Sequence, residues 1–101
     1  MTELHDNRTD DVLLQAIAQQ DMAALAKLYQ RYAGRSLTLA HQHGLPEPVQ
    51  VIEDAFALLF HSAQGFSRSG LPAAVWTLGL VQWYCRTRAL PAASSRLRPT
   101  L

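Results

Sequence analysis

The chain has one cysteine, Cys85, so no disulfide framework holds it together and a reducing compartment is the default. β-Branched aliphatic residues are scarce. Two Ile and five Val stand against sixteen Leu and fifteen Ala, a balance that favours helix over sheet. No apolar run approaches the roughly 18 residues that a membrane span needs. The opening MTELHDNRTDD is too polar for a secretory signal. Charge is also sparse, at 17% of residues against a usual quarter or so, which leaves surface for a partner to cover. Acid is missing altogether after Asp54. Residues 1–54 hold all eight acids beside Arg8, Lys27, Arg31 and Arg35, whereas residues 55–101 hold only bases: Arg68, Arg86, Arg88, Arg96 and Arg98. A net charge of +1 argues against strong non-specific nucleic-acid binding. The basic C-terminal end suits either phosphate or open solvent.

What is present is enough for one core. At 101 residues and 49% hydrophobic content the chain makes a single folded domain. Residues 1–9 read as a flexible lead, 10–90 as a helical domain and 91–101, PAASSRLRPTL, as a flexible basic tail. Thr9 or Asp10 caps a first helix whose apolar face is Leu14, Ile17 and Ala18. Asp21 caps a second, in which Leu25, Leu28, Tyr29, Tyr32, Leu39 and Ala40 keep the i, i+3, i+4 rhythm until Gly44. Pro48 opens a third. There Ile52, Ala55, Phe56, Leu59, Phe60 and Ala63 form one stripe, opposite a polar flank of Gln50, Glu53, Asp54, Ala57, His61 and Gln64. Gly65 is expected to break that helix, with GFSRSGL as an exposed loop. A fourth helix runs from Pro72 to about Leu90, where Pro91 stops it. It is apolar nearly all round, so part of its aromatic surface is free for binding, self-association included.

Catalytic patterns are absent. The five glycines fit neither a dinucleotide nor a phosphate loop, and no serine elbow or Cys/His pair stands out. His41 and His43 are two apart and point to different sides of a helix, so they do not suggest a metal site. The adjacent acids Asp10-Asp11 and Glu53-Asp54 do not converge on one substrate, and Cys85 sits in apolar surroundings. The chain reads as a non-enzyme, with no cofactor.

The order of elements carries a resemblance. DDVLLQAIAQQD leads into AALAKLYQRYAGRSLTLA, followed by a Pro/Gly connector, VIEDAFALLF, a loop containing GF, and AAVWTLGLV. Across residues 10–90 this resembles region two of the extracytoplasmic-function class of bacterial sigma factors. The resemblance implies an all-α, four-helix bundle that works in the bacterial cytoplasm. It implies that Gln50, Glu53, Asp54 and Ala57 face RNA polymerase core, docking on the clamp coiled coil of its β-type subunit. It implies that Phe66, Ser67 and Arg68 form a loop receiving a flipped base of single-stranded −10 promoter DNA. Gln82, Trp83, Arg86 and Arg88 would lie along the DNA, where aromatics stack on bases and arginines hold the backbone. The sequence departs from the family at its third helix, which reads Pro48-Val49-Gln50-Val51-Ile52-Glu53-Asp54 where the family has Ala-Glu-Asp-x-x-Gln-Glu. It departs again at Gly79, Gln82 and Trp83, where the family carries Arg and Asn, and at Thr87, where it carries Asp. The family's second, −35-reading domain is not expected within the 101 residues.

Plainer roles stand beside these. Trp76, Trp83 and Tyr84 serve equally as core or as a homodimer contact. Glu53 and Asp54 serve as a solvated face, and Arg86 and Arg88 complement a helix C-terminus. Phe66 serves as a loop anchor. The two functional expectations are a sigma-like regulator that docks on polymerase, and a sigma-fold interaction module without DNA recognition: a decoy, an anti-sigma partner or a homodimeric adaptor.

Overall fold

Helix starts and stops follow from local chemistry. In the computed structural model, which describes the backbone of residues 8–97 and the side chains of residues 8–89, five helices form and no strand appears among the described residues. They are α1 (Asp10–Ala18), α2 (Met22–Gln42), α3 (Pro48–Ser62), α4 (Gln64–Ser69) and α5 (Ala73–Leu97). Thr9 caps α1, accepting from the Val12 amide at 3.2 Å. Asp21 caps α2 in the same way, accepting from the Ala24 amide at 3.1 Å. Each cap satisfies a donor that the first turn leaves orphaned.

The two C-terminal ends of α1 and α2 use one device with different residues. At α1 the amide of Gln20 bonds the Ile17 carbonyl and that of Asp21 bonds the Ala16 carbonyl. At α2 the amides of Gly44 and Leu45 bond the carbonyls of His41 and Ala40 in the same pattern. The pattern requires a left-handed residue, which is Gly44 (φ 67°) in one case and Gln20 (φ 73°) in the other.

The core joins α1, α2, α3 and α5. Leu13, Leu14 and Ile17 of α1 meet Leu28 and Tyr32 of α2, then Ile52, Phe56 and Leu59 of α3, all buried. The stripe expected over Ile52–Ala63 is the inner face of α3, with Phe60 half-buried at its margin. Each such fully buried aliphatic side chain contributes about 1.5–3 kcal/mol.

Two expectations are corrected. The bundle has five helices rather than four, because residues 64–69 are helical. Ala63 keeps right-handed helical angles (φ −61°, ψ −26°), so the chain only kinks between α3 and α4. Phe66 then takes a place in the core at 7% exposure, its ring 5.8 Å from that of Trp76, and this burial outweighs the glycine's helix cost of about 1 kcal/mol. Second, α5 does not stop at Pro91 but continues to Leu97. Pro91 removes one amide donor from a stretch whose alanines, 89, 92 and 93, are the best helix formers. Residues 1–7 of the expected lead and 98–101 of the expected tail, Arg98 included, lie outside the described residues. The inner line of α5 is Ala73, Thr77, Val81 and Cys85, with Trp76 and Tyr84 packed against the core at its flanks. These small side chains recur every four residues and let α5 lie close against α2 and α3.

Candidate functional site

A wide groove lies between α2 and α3. It encloses about 740 Å³, with Met22, Leu25 and Tyr29 on one wall and Phe56, Ala57 and Phe60 on the other. Tyr29 meets Phe56 edge to face at 5.1 Å. Met22 is 61% exposed, which leaves a long apolar side chain at the groove mouth. Glu53 stands on the rim. Burial, and secondly the nearby Glu53 charge, pushes the Tyr29 phenol above its ordinary pKa.

Of the four residues expected on the polymerase face, two line this groove and two do not. Glu53 and Ala57 belong to its wall and are exposed. Gln50 and Asp54 lie outside the lining, where the Gln50 side-chain amide donates to Asp54 Oδ1 at 2.9 Å across one helical turn. The α2 wall was not legible in the sequence, because its register against α3 is a tertiary fact. Met22 carried the one hint, an apolar residue at the start of a helix whose buried face runs elsewhere.

The seven residues expected at DNA do not form one surface. Phe66 is core. Ser67 and Arg68 are exposed on α4 and border a notch of about 330 Å³ walled by α1, whose polar lining is completed by Gln15, Gln19 and Gln64. No residue of α5 lines that notch. Gln82, Trp83, Arg86 and Arg88 are exposed on α5. Arg86 and Arg88 are two positions apart, which turns them about 200° from one another on a helix. Arg88 lies over the Tyr84 ring at 5.9 Å, while Arg86 shares its side of α5 with Trp83.

The aromatics of α5 separate likewise. Trp76 and Tyr84 are half-buried and packed against the core, whereas Trp83 is 53% exposed. A second groove of about 390 Å³ runs between α5 and α3, lined by Val75, Trp76, Gly79, Trp83, Leu58 and Ser62 among others. Burial pushes the Cys85 thiol up from its ordinary pKa, as suits a reduced core side chain. Among the described residues no three His, Cys, Asp or Glu side chains gather where they could hold a metal ion, and no helix is long and apolar enough to cross a membrane.

No family model, curated protein or solved structure matches the chain.

Proposed function

We propose that the chain is a sigma-factor-like module of the region-two type, acting in the bacterial cytoplasm without catalysis. It docks on RNA polymerase core through the α2–α3 groove and reaches promoter −10 DNA with the Trp83 side of α5. The observation that carries this reading is the groove itself. An apolar wall of Phe56, Ala57 and Phe60 with Glu53 beside it suits an amphipathic partner helix that brings a basic edge, and two of the four residues that the sequence resemblance assigns to the polymerase face, Glu53 and Ala57, line it. The apolar wall supplies affinity, and the acid supplies orientation and encounter rate.

Co-purification with core RNA polymerase tests it. The wild-type chain is retained, while Glu53→Lys with Asp54→Lys, or Ala57→Arg in the groove wall, loses retention. A wild-type chain that fails to co-purify removes the reading.

The second reading keeps the sigma-like fold and gives up the promoter. It makes the chain a protein-interaction module: a decoy, an anti-sigma partner or a homodimeric adaptor. The burial of Phe66 favours it, since the segment expected to receive a flipped base is helical and gives its aromatic to the core. Titration with a single-stranded −10-like oligonucleotide at low salt separates the two, because only the first reading requires binding.

A further inference from the structure

Among the described residues, no helix packs over the outward face of α5, which borders α3 only along one groove. Its inner line is Ala73, Thr77, Val81 and Cys85, so the opposite face is centred on Gly79. A Cβ placed at Gly79 would meet nothing within 4 Å. Val75, four residues before it, and Trp83, four residues after it, are both 53% exposed, and Leu71, in the connector just before α5, is 46% exposed. The face is therefore a glycine hollow with a large apolar side chain one turn to either side, beside the α5–α3 groove.

We propose that the chain self-associates as an antiparallel two-fold dimer crossing at Gly79, each Trp83 entering the partner's α5–α3 groove beside the partner's Gly79. Three features select a second copy as the occupant. The first is the symmetry of the stripe. A two-fold axis through the crossing point brings the helix one turn after Gly79 against the helix one turn before it, so each Trp83 faces the stretch holding the partner's Val75 and Trp76. This is the self-complementary pattern that an isologous interface needs. The second is charge. Nothing lining the α5–α3 groove is charged, and among the described residues the one cation on the outward face is Arg86, seven residues beyond Gly79. Antiparallel packing sets the two Arg86 residues about 21 Å apart at opposite ends, whereas parallel packing would set them side by side. The third is area. Half-exposed Leu71, Val75 and Trp83 leave on the order of 300 Å² of apolar surface per copy. Two copies thus bury on the order of 600 Å² from these side chains alone, below the roughly 1,200–2,000 Å² of a stable interface, which makes the dimer a weak and reversible one.

This inference rests on the homodimeric form of the second reading and competes with promoter binding, because the dimer covers the Trp83 side of α5; a dimer that forms while the polymerase pull-down fails, or the reverse, tells the two apart. Sedimentation velocity on the whole chain over about 10–500 µM, the range such an interface calls for, should show a reversible monomer–dimer equilibrium. Trp83→Ala removes the entering side chain. Gly79→Leu fills the hollow at an open helical position and should not harm folding. Each should weaken association at least tenfold while leaving the helicity of the monomer, read at a concentration below the dimer range, unchanged. Gly79→Cys should cross-link in air as a dimer, whereas Arg86→Cys should not, and the wild-type chain should not because Cys85 is buried. A wild-type chain that stays monomeric throughout overturns the proposal, as does a dimer that survives both substitutions. Equal cross-linking at positions 79 and 86 overturns the antiparallel arrangement.

Discussion

The Tyr32 hydroxyl donates to the carboxylate of Asp10, 22 residues away, and so ties the first turn of α1 to the middle of α2. The same carboxylate receives Arg31 at 2.7 Å, and Arg35 lies over the Tyr32 ring at 4.5 Å. Burial first, and then the Asp10 hydrogen bond and charge, push the Tyr32 phenol up to about 12. The fold therefore holds this proton more tightly than the unfolded chain, whose tyrosines titrate near 10. The contribution is fully present below pH 10 and is lost as pH rises from about 10 to about 12. The total is at most about 3 kcal/mol, at roughly 1.4 kcal/mol per pH unit. Tyr32→Phe should lower stability at pH 7 by about 1–2 kcal/mol and flatten the alkaline decline. Urea denaturation of the two proteins at pH 8, 10 and 11.5 checks both. Parallel curves for mutant and wild type would show that Tyr32 does not carry the alkaline dependence.

The two left-handed caps make a matched pair. Gln20 and Gly44 hold the same position in the same two-bond pattern, and only one of them is a glycine. Gln20→Gly should stabilise the protein by about 0.5–1 kcal/mol by relieving a side chain from φ 73°. Gly44→Gln should cost a similar amount or more. Thermal melts of both variants measure the pair, and shifts of the same sign would contradict the argument.

Helix ends of this kind are what the residues disclose most readily. Thr9, Asp21 and Gly44 announce caps because their chemistry is local, and the Ile52–Ala63 stripe shows its inner face by spacing alone. The α4 segment stays hidden for the opposite reason. Its Gly, Ser and Arg content describes a loop, and only Phe66 finding a place against Trp76 makes it a helix. The candidate site divides along the same line. Glu53 and Ala57 are visible as a polar flank, but Met22, Leu25 and Tyr29 become their neighbours only through the register of α2 on α3. Arg86 and Arg88 show the reverse case, being close in sequence and pointed apart by the helix.

Thr77 is the polar member of the inner line of α5, fully buried, and its hydroxyl has no hydrogen-bond partner among the described residues. A buried hydroxyl without a partner costs about 1–3 kcal/mol against an apolar group of the same shape. Thr77→Val keeps the volume and removes the cost, so it should raise stability by about 1 kcal/mol in chemical denaturation. A loss of stability would mean that the hydroxyl makes an interaction that matters, and the isosteric swap would reveal it.

The divergence of Arg86 and Arg88 gives the promoter reading a test that a merely basic C-terminal end would fail. Only Arg86 shares its side of α5 with the exposed Trp83, while Arg88 lies over Tyr84. If single-stranded −10-like DNA stacks on Trp83, Arg86→Ala should lower the salt slope of binding by about one and Arg88→Ala should leave it unchanged. Trp83→Ala should weaken binding by about 1–3 kcal/mol with the slope intact, since stacking releases no counterions. Fluorescence anisotropy at several salt concentrations reads all three. Equal slopes lost at both arginines would point to a diffuse cationic end instead of a face, and would favour the reading without DNA recognition.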